Sequence, residues 1–119
     1  MKVAIIGSRG LSMDIGHYLP YDTTLLISGG ASGIDACAEA YARKRGLPIL
    51  IFPPDYDRYG RGAPLVRNQA IVEAADLVVA LWDGRSRGTQ QAVRYARGLG
   101  VPVQLHTFPP IPVEPRADV

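Results

Sequence analysis

Short aliphatic runs alternate along this chain with stretches whose apolar residues recur every three or four positions. Five runs read as strands: Val3–Ile6, Leu25–Ile27, Ile49–Phe52, Leu77–Leu81 and Val101–Leu105. They are continuous rather than alternating, as expected of parallel strands buried on both faces. Leu11, Ile15, Tyr18 and Leu19 predict a first helix, and Ile34 through Arg45 a second, closed by Gly46 with Pro48 just beyond. A third begins with Pro64 in its first turn and runs through Leu65, Ile71 and Ala75. Ala92, Val93, Ala96 and Leu99 mark a fourth, ended by Gly98 or Gly100.

Strands alternating with helices imply βαβ units, and right-handed crossovers restrict how these can be wound. The expected fold is α/β: a single doubly wound Rossmann-like domain with a five-stranded parallel sheet, order 3-2-1-4-5, flanked by helices. The domain is expected to span residues 1–106, followed by a proline-rich C-terminal tail, 107–119, that reads as extended or disordered. Phe108 and Ile111 in that tail could pack on the domain or on a partner subunit. The strand order reverses between the first and fourth strands, and ligands in such sheets bind beyond the carboxyl ends near that reversal. The longest irregular stretch, Pro53 to Gly62, carries Tyr56 and Tyr59 and reads as a lid.

Three glycine-rich turns follow strand ends and should converge at the reversal: Gly7-Ser8-Arg9-Gly10, Ser28-Gly29-Gly30-Ala31-Ser32-Gly33, and Trp82-Asp83-Gly84-Arg85-Ser86-Arg87-Gly88-Thr89. Glycines permit positive φ and close backbone approach, and a strand–turn–helix junction aims free N–H groups and the positive helix end at one point. A phosphate or carboxylate suits that point. Gly29, Gly30, Gly33, Gly88 and Thr89 are the expected phosphate cradle, together with Gly7, Ser8 and Ser28 in the same turns. Arg9 is the expected neutralising cation. Asp35 either complements the helix dipole, holds the glycine loop or bonds a ribose hydroxyl. The Arg67 guanidinium could stack on a base or bind phosphate, and Asn68 could read a base edge or brace a loop. Asp83 is expected on a ribose or as a cap, and Trp82 in packing.

The composition narrows the classes. A chain of 119 residues favours one domain and needs no disulfide or metal staple. With 13 basic and 11 acidic residues the net charge is +2, too balanced for a dedicated polynucleotide binder, although Arg58, Arg61, Arg67, Arg85 and Arg87 cluster near two loops. No apolar run reaches the length of a membrane span, and the start shows no signal-peptide pattern. One cysteine, Cys37, fits a reducing cytoplasm and is expected as a buried, inert thiol. A metal site is not expected, because His17 and His106 stand apart and Cys37 has no CxxC partner. There is no Walker A lysine motif, no intact GxGxxG after the first strand, and no Gly-x-Ser-x-Gly elbow. No cofactor is implied.

Taken in order, Gly7-Ser8-Arg9, Ser28-Gly29-Gly30-Ala31-Ser32-Gly33-Ile34-Asp35, Arg67-Asn68, the strand Ala75–Ala80 and Gly88-Thr89 resemble the SLOG superfamily. The superfamily takes its name from DprA (Smf) and the lonely-guy proteins, and the resemblance is closest to the small YspA-like branch. It covers roughly Lys2 to Val103. The resemblance implies a Rossmann-like fold, a nucleotide or nucleotide-derived ligand at the glycine loops, and self-association into a homo-oligomer. Lonely-guy phosphoribohydrolases carry Pro-Gly-Gly-x-Gly-Thr-x-x-Glu, where this chain has Arg85 to Ala92, with Ala92 at the glutamate position. Glu39 or Asp83 are the substitutes a glycosidic-bond hydrolase or transferase would need. DprA-like proteins share the Ser-Gly-Gly-Ala-x-Gly-Ile-Asp and Arg-Asn pieces and bind single-stranded DNA. The leading expectation is a binding module for a phosphorylated nucleotide-derived ligand. The hydrolase is the alternative, and nucleic-acid binding is a further, less favoured one.

Overall fold

The aliphatic runs assemble into one parallel sheet in the order β3-β2-β1-β4-β5. The strands are β1 (Lys2–Gly7), β2 (Leu25–Ser28), β3 (Ile49–Ile51), β4 (Leu77–Trp82) and β5 (Val103–Thr107). The helices are α1 (Ile34–Arg45), α2 (Tyr56–Tyr59), α3 (Ala63–Ala74) and α4 (Arg87–Leu99). This computed structural model describes residues 1–108. The expected fold class and strand order are those observed.

The central strands β1, β2 and β4 are largely buried on both faces, which gives the sheet two cores, while the edge strands β3 and β5 are only partly covered. On one side Val3, Ile5, Leu26, Val79 and Leu81 pack with Ile34, Ala38 and Ala42 of α1 and with Ile15. On the other, Ala4, Ile6, Ile27 and Val78 pack with Ile71 and Val72 of α3 and Ala92 and Ala96 of α4. Helices on both faces make the sheet doubly wound and leave its carboxyl edge to loops.

Both long C-terminal stops work as the glycines imply. Gly46 and Gly100 adopt the left-handed conformation, and the next residues, Leu47 and Val101, donate back to the carbonyls of Ala42 and Ala96. Val101 is therefore spent on closing α4, and β5 starts two residues later than expected. Gly98 lies inside α4 rather than ending it. β5 in turn runs to Thr107, and Phe108 donates its N–H to the Trp82 carbonyl at 2.7 Å and sets its ring edge-on to Tyr18. The folded part thus passes the boundary expected at 106. The prolines from 109 onward and Ile111 lie outside the described residues.

Leu11, Ile15, Tyr18 and Leu19 do not form a helix. A single 3-10 turn, Ile15–Tyr18, forms instead. The Asp14 carboxylate accepts the Gly16 N–H at 2.9 Å, the Tyr41 ring fills the space a side chain on residue 16 would need, and Pro20 follows. These features favour a turn over helix propagation, while the same apolar residues still pack onto the core. Leu65 and Leu99, part of the expected helix faces, are exposed. Cys37 is half-buried, its sulfur accepting the Met13 N–H at 3.4 Å. No helix among the described residues is long and apolar enough to cross a membrane.

Candidate functional site

The turns after β1, β2 and β4 meet at the carboxyl edge of the sheet, where β1 pairs with β4 and the strand order reverses. Ser8 ties two of them together. Its backbone N–H bonds the Leu81 carbonyl at 3.1 Å, and its buried hydroxyl accepts the Asp83 N–H at 3.0 Å. Its carbonyl accepts the Ile34 N–H at 3.3 Å, joining the start of α1. A pocket of about 340 Å³ opens between these turns and α3.

Of the residues expected at the site, Gly7, Arg9, Asp35, Arg67, Asn68, Asp83, Gly88 and Thr89 line this pocket. Ser8, Ser28, Gly29, Gly30 and Gly33 do not; they build its frame. A Cβ on Gly33 would lie 2.4 Å from the Arg9 carbonyl, and Gly33 has a φ of +73°. A Cβ on Gly29 would lie 2.4 Å from Arg67 Nη1. Both glycines answer to neighbouring protein atoms. Ser28 is fully buried with its hydroxyl unpartnered.

Asp35, in the first turn of α1, holds the glycine loop: its Oδ2 accepts the Ala31 N–H at 3.1 Å. Burial pushes its carboxyl above the ordinary value, against the pull of that N–H and of the Arg67 charge. One donor of the second turn, the Ala31 N–H, is thus already occupied by the protein's own carboxylate. Arg67 was expected to stack on a base or bind phosphate. It is nine-tenths buried and spans two carbonyls, Gly29 at 2.5 Å and Phe52 at 3.4 Å, both through Nη1. Its Nε is buried without a partner, and the side chain still forms part of the pocket wall. Burial lowers its pKa first; Asp35 and Tyr56 raise it, and Arg9 lowers it again as a neighbouring like charge.

The third turn is braced by Asp83. Its Oδ1 accepts the N–H groups of Arg85 at 2.8 Å and Ser86 at 2.9 Å, and these bonds hold the carboxyl below its ordinary value. The Ser86 hydroxyl caps α4 through the Thr89 N–H at 3.4 Å and lies 3.2 Å from the Thr89 hydroxyl. Trp82 donates its indole N–H to the Ser86 carbonyl at 2.8 Å. The N–H groups of Arg87 and Gly88 belong to the first helical turn, where an α-helix provides no internal partner.

Gly10, Ala31, Pro64, Ile71 and Ser86 also line the pocket and were not expected as site residues. Gly10 stood within the quoted first turn, and Ser86 sits at the serine N-cap preceding Gly88. Pro64 and Ile71 carried only helix signals. Glu39 is not among the lining residues, and Ala92, at the glutamate position of the lonely-guy pattern, is buried in the core. Among the described residues no three His, Cys, Asp or Glu side chains gather to hold a metal ion.

The model of the YspA, cpYpsA-related SLOG family matches residues 17–59. The chain is 34% identical over 93 residues to the Gene 61 protein of Mycobacterium phage D29, covering 73% of this chain and 74% of that protein. The chain belongs to the YspA-related SLOG family. Two solved structures share the SLOG fold seen here. One is DNA processing protein A from Helicobacter pylori, solved for insight into its single-stranded DNA binding mode (TM-score 0.70, 22% identity, 88% of this chain). The other is DprA from Streptococcus pneumoniae (TM-score 0.71, 19% identity, 95% of this chain). This chain spans 64% and 52% of the lengths of those two chains. At such identities the likeness is one of fold.

Proposed function

We propose that this SLOG protein binds a nucleotide or nucleotide-derived phosphorylated ligand in the pocket at the carboxyl edge of the sheet. One observation carries the reading. Two guanidinium groups from distant segments, Arg9 after β1 and Arg67 on α3, line a single pocket at the first turn of α4. An anion between them meets both positive charges and the N–H groups of the helix start. Asn68 and Thr89 supply neutral polar contacts, while Ile5, Ile6, Pro64 and Ile71 give an apolar floor. The mixture suits a phosphate joined to a sugar and ring better than a free inorganic ion.

The Arg9 side chain is exposed and makes no hydrogen bond among the described residues, so truncating it separates binding from stability. Calorimetric titration with nucleoside monophosphates and dinucleotides should show affinity in the wild type that falls at least tenfold in Arg9→Ala, with the unfolding midpoint unchanged. Equal binding by the two proteins counts against the assignment. Native mass spectrometry of freshly purified protein reports any retained metabolite, and also the self-association that belongs to this same proposal.

Single-stranded nucleic acid is the second reading. It is favoured by the exposed arginines Arg58, Arg61, Arg85 and Arg87 on the loops beside the pocket and by the fold shared with DprA. Its mark is affinity for an oligonucleotide that collapses between roughly 50 and 200 mM salt, because each phosphate contact releases counterions.

A further inference from the structure

The pocket meets the phosphate and sugar chemistry of a nucleotide, but the described residues that line it include no aromatic ring. Two tyrosines lie on the segment that joins two of its walls. The segment from Pro53 leaves β3 at Phe52, whose carbonyl is held by Arg67, and returns at Pro64; both Arg67 and Pro64 are pocket walls. Between these stems lies α2, with Tyr56 55% and Tyr59 41% exposed. We propose that Tyr56 and Tyr59 form a stacking platform for the planar heteroaromatic ring of the ligand whose phosphate sits in the pocket. The proposal rests on the nucleotide reading above and names the part of the ligand that the pocket walls leave unrecognised.

Four observations support the platform. Residues three apart on one helical turn share a face, so both rings lie on the same side of α2. No residue from Asp55 through Gly62 is buried, so the segment contributes nothing to the core that would explain two aromatic side chains. The turn is nevertheless held in shape. The Asp55 carboxylate accepts the Arg58 N–H at 3.2 Å, and Gly60 takes φ +57° with ψ −132°, a conformation open to glycine and little else. The Arg58 guanidinium lies 5.3 Å from the centre of the Tyr59 ring, which stiffens that ring and backs it with positive charge. Isolated exposed tyrosines are ordinary; a braced pair on a segment that joins two walls of an anion pocket suits base stacking.

The test compares adenosine 5′-monophosphate with ribose 5-phosphate, which keeps the anion and sugar and lacks the ring. Both are titrated calorimetrically into wild type, the double variant Tyr56→Ala/Tyr59→Ala, and the double variant Tyr56→Phe/Tyr59→Phe. Tyr21→Ala, at a fully exposed tyrosine before β2 on the opposite edge of the sheet, is the surface control. Wild type should bind the nucleotide about tenfold or more tighter than ribose 5-phosphate. The alanine pair should lose that advantage while keeping its affinity for ribose 5-phosphate, and the phenylalanine pair and Tyr21→Ala should retain it. Equal wild-type affinity for both ligands overturns the platform and leaves the phosphate pocket standing. A parallel loss of both ligands in the alanine pair, with circular dichroism unchanged, also overturns it. Failure of wild type to bind either ligand removes the nucleotide reading and the platform together.

Discussion

Arg67 donates to the Gly29 carbonyl at 2.5 Å, across the gap between α3 and the turn after β2. That bond fixes both residues at once. The guanidinium occupies the space a side chain on residue 29 would need, so Gly29→Ala must push Arg67 aside or distort the turn. Removing Arg67 leaves the Gly29 carbonyl without its charged donor. Hydrogen bonds to charged groups contribute about 1.5–3 kcal/mol, so Arg67→Met should destabilise the domain by an amount in that range in urea unfolding. Arg67→Lys should recover only part of it, since an ammonium is more strongly hydrated than a guanidinium and costs more to bury at this site. An unchanged midpoint in Arg67→Met would show that Arg67 does not brace the turn.

The glycines of the site fall into two groups with opposite expected phenotypes. Gly33 meets the Arg9 backbone and has positive φ, so Gly33→Ala should unfold the domain more readily. Gly10 faces open space, and the closest atom to a Cβ on Gly88 would be Asn68 Nδ2 at 3.9 Å; neither has positive φ. Nothing within the protein requires glycine at these two positions, yet both line the pocket. Gly10→Ala and Gly88→Ala should leave stability unchanged or raise it by about 0.5 kcal/mol while weakening nucleotide binding by narrowing the site. Thermal unfolding and calorimetry on the same preparations separate the two effects.

This sorting also shows what the sequence could carry. The continuous aliphatic runs give the strands and the glycine stops the ends of α1 and, to within two residues, α4, through local rules, and the crossover rule gives the strand order; these were legible. The meeting of the turns after β1, β2 and β4 followed from the strand order, because a parallel sheet places all its carboxyl ends on one edge. The roles of individual residues within those turns were not legible. Whether a glycine yields space to a ligand or to Arg67 depends on which helix crosses above it, and no local pattern reports that. The 3-10 turn at Ile15–Tyr18 shows the same limit from another direction, since its apolar spacing is compatible with a helix and the Asp14 side chain decides otherwise.

The two carboxylates of the pocket should respond to pH in opposite senses. Burial raises Asp35 above 3.8, so ionising it costs more in the folded than in the unfolded chain. Its effect is a loss of stability as pH rises from about 3.8 through the raised value, constant thereafter. Asp83 is depressed below 3.8 by the N–H groups of Ser86 and Arg85, so it stabilises above that value and the contribution disappears as pH falls through the depressed one. Urea unfolding from pH 2 to pH 7 should therefore show Asp35→Asn gaining on wild type as pH increases and Asp83→Asn falling behind it. Parallel trends for the two variants would mean that one of these environments is misassigned.

The Ser8 hydroxyl is where stability and binding should prove coupled. It lies almost fully buried and accepts the Asp83 N–H, linking the turn after β1, which carries Arg9, to the turn after β4, which carries Gly88 and Thr89. Ser8→Ala removes the acceptor and strands that N–H in a site water reaches poorly, a loss of about 1–3 kcal/mol. The variant should also bind nucleotide more weakly although Ser8 does not line the pocket, because the spacing between Arg9 and the α4 turn is no longer fixed. Ser8→Cys, with a larger and weaker acceptor, should fall between alanine and wild type in both measurements. If Ser8→Ala were destabilised as expected but bound ligand with wild-type affinity, the two turns would hold their spacing without this bond, and the pocket's geometry would rest on the Gly33–Arg9 backbone contact instead.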